Sequence, residues 1–501
     1  MAENFERGAG VLCAISSLPN NYGIGSLGDE AFEFARILKR AGVKYWQILP
    51  TVQTGFCDSP YQSVCCFSGN PYFIDLEALH RKGLLDSEEL QSAVMPKGKV
   101  DYGQLYEKRI ELLRLAYARF NVKSKDFVAF VDSKEFEDYA LFMSLKTRYG
   151  GTFDTFPDSY KFREKIAIIE FRRSVLKSDF LFWQFVQYIY FKQWNKLKKY
   201  VNGLGIKIIG DIPLYVAYDS ADVWAHPKLF KLDKNLKPTL VAGVPPDYFS
   251  EKGQLWGNPI YNWEAMAEDG YDWWIKRIER AKNQFDIVRI DHFRGFDRYY
   301  AIPAGKEDAM EGEWLLGPNS NFFYEMNKRL GEVNIIAEDL GAIDAGVTRL
   351  MERTGFPGMK VLQFAFDKNP ENPYLPANFG MNSVVYTGTH DNDTTLGYLN
   401  SLDDEQFSSF KTQLRSALKS EGVIHPFVTR EQAAWALNVC ALASPADIAI
   451  IPVQDIEVLG SEARMNTPSV AEGNWQYRMQ EFPSRRPLAY LKAGIKKFRR
   501  L

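Results

Sequence analysis

The chain has 501 residues, 46% apolar and 14% aromatic, enough for a large core in one elaborated barrel or in several ordinary domains. Its 61 basic and 63 acidic residues leave a net charge of −2, so no overall field favours nucleic acid or an anionic membrane. No run of about 18 apolar residues is present, so no membrane-spanning helix is expected. The opening MAENFERGAGVL lacks a basic region followed by an apolar one, so no secretory signal is expected either. The five cysteines, Cys13, Cys57, Cys65, Cys66 and Cys440, show no CxxC spacing and read as reduced thiols of a cytoplasmic protein.

Short β-rich runs bounded by turn residues recur along the chain, separated by segments of helical periodicity. In order they are Val11–Ser17, Tyr45–Pro50, Ile206–Pro213 and Ile287–Phe293, then Asn334–Leu340, Met359–Phe366, Ser383–His390 and Asp447–Asp455. Eight such runs alternating with helices predict a parallel sheet closed into a (β/α)8 TIM barrel. About 150 residues separate the second run from the third, where a plain βα unit takes about 30. Asp101–Phe120 and Lys134–Tyr149 read as helices, and the aromatic segment Phe171–Tyr200 as the second barrel helix. The expectation is one catalytic domain over 1–501, with 52–205 a mainly helical insertion that includes that barrel helix. The helix that opens at Asp344 is predicted to stop at Gly355, which supplies a left-handed cap, with Pro357 preventing continuation.

Barrel enzymes build their sites where the strands end, so polar residues there are informative. The third run ends in Gly210-Asp211, the fourth in Arg289-Ile290-Asp291-His292, the fifth in Glu338-Asp339 and the seventh in His390-Asp391-Asn392-Asp393. Any one of these acids is equally a helix cap or a loop salt bridge; four strands delivering them to one rim argue for a site. Arg289 and Asp291 alternate onto the same side of their strand, and a guanidinium there favours an ionised carboxylate suited to nucleophilic attack. Two chemistries fit. One is glycosyl transfer, with one ionised and one protonated carboxyl. The other is Mg²⁺-assisted proton abstraction in an enolase-like barrel, which needs a lysine or histidine base at another strand end. The second and sixth runs offer none.

Sugar sites combine aromatic platforms with planar polar groups. The loop read over Gly243–Pro259 has this composition and holds up Tyr248, Phe249 and Trp256. A second cluster, Ser59-Pro60-Tyr61-Gln62, follows the second run. A third, Arg464-Met465-Asn466, follows the eighth and leads to Gly473-Asn474-Trp475. For these last two, position on the rim is the only support.

The motifs SSLP, DSPYQ, GVPPDYFSEKGQLWGNPIY, VRIDHFRGF, IIAEDLG, YTGTHDNDTT and NTPSVAEGNW run from one end of the chain to the other. Through them the sequence resembles the 4-alpha-glucanotransferases of amylomaltase (disproportionating enzyme) type, in the wider alpha-amylase superfamily. The resemblance implies that Asp291 is the nucleophile, Glu338 the general acid/base, and Asp391 the acid that binds the hydroxyls of the reacting sugar. Asp211, Arg289, His292 and His390 would surround that sugar, and Ser59, Tyr61, Trp256 and Asn466 would contact the chain nearby. Tyr248 and Phe249 would cover the site, exclude water and help bind the acceptor. The implied reaction moves α-1,4-glucan segments to the 4-hydroxyl of glucose or another glucan through a β-glycosyl-aspartate, giving disproportionation and cyclisation. No metal or other cofactor is implied. The implied partners are maltooligosaccharides, amylose and glucose as acceptor, within starch, glycogen and maltodextrin metabolism, acted on by a monomer or weak homo-oligomer. An α-1,4-glucan hydrolase and a non-catalytic glycan-binding protein are the rival functions on the same scaffold.

Overall fold

The structure, a computed structural model, describes residues 5–55, 58–174, 177–246, 250–341 and 343–501. Its strands are β1 (Gly8–Leu12), β2 (Tyr45–Gln47), β3 (Lys207–Ile212), β4 (Leu240–Val244), β5 (Gln254–Pro259) and β6 (Ile287–Ile290). They continue with β7 (Arg298–Pro303), β8 (Glu313–Leu316), β9 (Ile335–Ala337), β10 (Gly358–Val361), β11 (Ser383–Tyr386) and β12 (Ile448–Pro452). Eight of them close into a barrel in the order β1-β12-β11-β10-β9-β6-β3-β2, every neighbouring pair parallel. The chain is therefore the (β/α)8 barrel that the eight runs predict.

Each barrel strand stops short of the end read from the sequence, and the reason is chemical. The fourth run was expected to reach Phe293, but β6 ends at Ile290 and His292 turns into the left-handed region at φ 53°. The fifth was expected to reach Leu340; β9 ends at Ala337, where the Glu338 carboxylate accepts the N–H of Leu340 and turns the chain. Asp291, His292, Glu338 and Asp391 thus stand on the turns just beyond the strands, while Asp211 and Arg289 lie within them.

The two ends of the stretch Gly243–Pro259, expected as a loop, are strand, belonging to β4 and β5, which pair antiparallel. With β7 and β8 they form a separate four-stranded sheet, order β5-β4-β7-β8, outside the barrel. The proline and glycine content of the stretch disguises the strands, yet the hairpin requires it. Gly253 holds φ 68° at the turn, and a Cβ there would lie 2.4 Å from the carbonyl oxygen of Val244.

Between β2 and β3 the described chain is helical, including Tyr102–Arg119, Glu137–Tyr149 and Lys177–Gly203. The expected helix Phe171–Tyr200 is two elements: a shorter helix, Lys165–Arg173, ends at extended Ser174, and the long helix begins after it. The long helix packs on β3 and on the helix Asp29–Ala41, and also on the helices Tyr102–Arg119 and Glu137–Tyr149. Phe182 and Phe185 on it meet Tyr117 and Phe120, with ring centroids 5.7 Å and 4.8 Å apart. The helix Ala345–Thr354 is capped as its sequence predicts, by Asp344 accepting two backbone N–H groups and by Gly355 at φ 70°. No helix among the described residues is long and apolar enough to cross a membrane. Cys13, Cys65, Cys66 and Cys440 are free thiols; Cys57 lies outside the described residues.

Candidate active site

The site is assembled where β3, β6, β9 and β11 end. Register sets its foundation: Asp211 of β3 pairs with Arg289 of β6, so carboxylate and guanidinium lie side by side inside the barrel. Arg289 Nη1 donates to both oxygens of Asp211 at 2.8 Å and 2.7 Å, and Nη2 donates to Asp291 at 2.9 Å. Asp211 and Arg289 are fully enclosed, whereas the Asp291 side chain is 28% exposed. One guanidinium therefore serves two carboxylates, and only Asp291 faces the open rim. Tyr61 adds a third bond to Asp211 at 2.8 Å, tying the segment after β2 to the network.

Glu338 stands one residue beyond β9. Its carboxylate accepts the backbone N–H of His292 at 2.7 Å and that of Leu340 at 2.8 Å. The left-handed turn at His292 aims the first of these, so the residue after Asp291 grips Glu338 directly. Burial, and then repulsion by Asp291, push the Glu338 carboxyl up to about 8. Burial also raises Asp291, but Arg289 pulls it back, leaving it at about 6. Glu338 is thus held further toward its protonated form than Asp291, which keeps the Arg289 cation. Neighbouring carboxyls whose environments move them by different amounts are a common feature of paired acid/base sites.

Asp391 lies on the turn after β11, its side chain 44% exposed. Asn466 donates to its Oδ1 at 2.6 Å, and His390 Nε2 lies 3.5 Å from its Oδ2. The His390 ring stacks on Tyr61, centroids 5.2 Å apart and planes 10° apart. Across the rim the Trp256 ring meets His292 edge-on at 4.8 Å. Burial lowers the His292 imidazole to about 3, so it is neutral, and its Nε2 has no hydrogen-bond partner among the described residues. A buried ring nitrogen of that kind is a ready contact for a hydroxyl.

The structure thus brings Asp211, Arg289, Asp291, His292, Glu338, Tyr61, His390, Asp391, Asn466 and Trp256 to one rim. Ser59 shapes the turn before Tyr61, accepting its N–H at 3.2 Å. Tyr248 and Phe249 lie outside the described residues. Three further residues join the site. Trp475 lies 5.6 Å from Tyr61 and 5.9 Å from His390, centroid to centroid. Gln62 and Asn258 exchange hydrogen bonds between their side chains at 2.9 Å and 3.2 Å, linking the turn after β2 to β5. Trp475 and Gln62 stand inside clusters whose composition marks them as ordinary turns, and Asn258 gives no signal beyond its loop.

A model of the family described as 4-alpha-glucanotransferase matches residues 13–484. The chain belongs to the 4-alpha-glucanotransferase family. It is 46% identical over 483 residues to a 4-alpha-glucanotransferase of Thermus thermophilus, covering 94% of this chain and 95% of the relative. A Streptococcus pneumoniae 4-alpha-glucanotransferase is 44% identical over 483 residues, covering 95% and 94%. Among solved structures, amylomaltase from Streptococcus agalactiae in complex with acarbose superposes with a TM-score of 0.93 at 36% identity, covering 99% of this chain and 100% of that one. The enzyme is accordingly a hexosyltransferase acting on α-glucans.

Proposed function

We propose that this 4-alpha-glucanotransferase works by retaining double displacement, with Asp291 as nucleophile and Glu338 as proton carrier. The observation that carries the reading is the Glu338 carboxyl gripped by the N–H of His292, the residue that follows Asp291, with Arg289 bound to Asp291 and burial raising Glu338. In the first step the Asp291 carboxylate attacks the anomeric carbon of a bound α-1,4-glucan. The bond to the glycosidic oxygen breaks, and that oxygen takes the Glu338 proton as it leaves. A β-glycosyl ester remains on Asp291. Glu338 is now an anion, and the N–H groups of His292 and Leu340 stabilise it while the leaving chain departs. In the second step the 4-hydroxyl of glucose or another glucan gives its proton to Glu338 and attacks the same carbon. Asp291 is released and the α configuration restored.

Asp391, fixed by Asn466 yet open to the rim, binds the hydroxyls of the sugar being transferred. His292, His390, Tyr61 and Trp256 line the chain around it, and Asp211 and Arg289 act from beneath by holding Asp291. The Streptococcus agalactiae amylomaltase was solved in complex with acarbose, which supports a sugar ligand for this chain too. Incubation with maltotriose tests the transferase reading. A ladder of longer maltooligosaccharides together with glucose is expected; glucose and maltose alone would make the enzyme a hydrolase, and no product would make the protein a glycan binder.

A further inference from the structure

A guanidinium outside the carboxylate network joins two loops of the rim. Arg464 donates from Nη2 to the main-chain carbonyl of Asp391 at 2.9 Å and from Nε to that of Asn466 at 2.8 Å. Asn466 in turn donates its side-chain amide to Asp391 Oδ1 at 2.6 Å and its backbone N–H to the carbonyl of His390 at 3.1 Å. Asp391 and Asn466 are 75 residues apart in sequence and belong to no shared strand ladder. These four bonds tie them together, and Ser461 donating to Asp393 at 2.7 Å joins the same two loops farther along.

Such a clasp matters because burial does not fix Asp391, whose side chain is 44% exposed. A planar guanidinium holds two acceptors in one plane, a geometry that an ammonium on a flexible stem does not reproduce. Both described hydrogen bonds of Arg464 go to main-chain oxygens, so its geometry acts on the path of the backbone.

We propose that Arg464 is a positioning residue for Asp391. It sets the main-chain place of Asp391 directly and, through the carbonyl of Asn466, the angle at which the Asn466 amide meets the carboxylate. The proposal rests on the reading of Asp391 as the acid that binds the transferred sugar.

A double-mutant cycle tests it in the full-length enzyme, read with α-maltosyl fluoride, whose fluoride departs without a proton. Asp391→Asn alone should slow glycosylation by about 100-fold or more, as expected when a group that orients the reacting sugar is lost. Arg464→Lys and Arg464→Gln should each lower kcat by roughly 10–100-fold with KM changed less than about 3-fold, because the misplaced group acts at the reacting centre. Placed in the Asp391→Asn background, the same changes should cost less than about 2-fold, the behaviour of residues that act as a unit. If the Arg464 loss recurs in full in that background, or if the Arg464 variants match the wild type, the proposal is overturned while the reading of Asp391 stands. If Asp391→Asn itself costs less than about 10-fold, the reading of Asp391 fails and the proposal falls with it.

Discussion

Asp291 accepts a 2.9 Å hydrogen bond from Nη2 of Arg289, whose Nη1 is held by both oxygens of Asp211. This arrangement opposes the effect of burial on the proposed nucleophile, which Arg289 pulls back toward its ionised form. Arg289→Lys should therefore do more than weaken binding. One ammonium does not span both carboxylates, so Asp291 loses its cation and the acid limb of kcat/KM should move up by about one pH unit or more. Arg289→Ala leaves two carboxylates without their cation and should destabilise the fold by about 3–5 kcal/mol, read by chemical denaturation.

In the wild type, kcat/KM should follow a bell. Asp291 must be deprotonated, so activity rises through about 6; Glu338 must be protonated, so activity falls through about 8. The two limbs belong to the interacting pair, each proton shifting the other. In Glu338→Gln, glycosylation by α-maltosyl fluoride, which needs no proton, should continue with its acid limb, while maltotriose should fail as a donor. A Glu338→Gln variant that still uses maltotriose at near the wild-type rate would assign the proton to another group.

Tyr61 does two things, bonding to buried Asp211 and stacking on His390. Tyr61→Phe separates them by removing only the hydroxyl. Asp211 keeps Arg289, so the cost should be about 1–2 kcal/mol of stability, seen as a drop in Tm of a few degrees, with KM for maltotriose raised less than tenfold. An unchanged Tm would mean that the hydroxyl contributes nothing to the network.

Activity should survive exhaustive treatment with EDTA. Asp211 is bound through both oxygens to Arg289, Asp291 and Asp391 each through one oxygen to Arg289 and Asn466, and Glu338 to two backbone N–H groups; no group of three His, Cys, Asp or Glu side chains among the described residues is placed to hold a metal ion. Loss of activity restored by Mg²⁺ would revive the metal-dependent reading that the sequence leaves open.

The barrel and its catalytic rim are legible in the sequence because local rules and chemistry coincide there. Arg289 and Asp291 alternate on one strand, and Gly355 caps its helix as a glycine should. What escapes the sequence is set by contacts between distant segments. Trp475 reaches Tyr61 across the whole chain, and Arg464 is placed by carbonyls on two loops. The β4–β5 hairpin hides behind Gly243, Gly253 and the prolines of its turn, whose pattern says loop until β7 supplies a partner. The role of Asp211 is likewise visible only in three dimensions. It stands at a strand end like the others, but its carboxylate is wholly buried beneath Arg289.

The most direct measurement is covalent trapping. A 5-fluoroglycosyl fluoride of maltose slows both displacements, and Glu338→Gln further slows release by removing the base. Digestion and mass spectrometry of the trapped enzyme should place one glycosyl adduct on the peptide carrying Asp291, at that residue. An adduct on Glu338, Asp391 or any other acid would contradict the assignment.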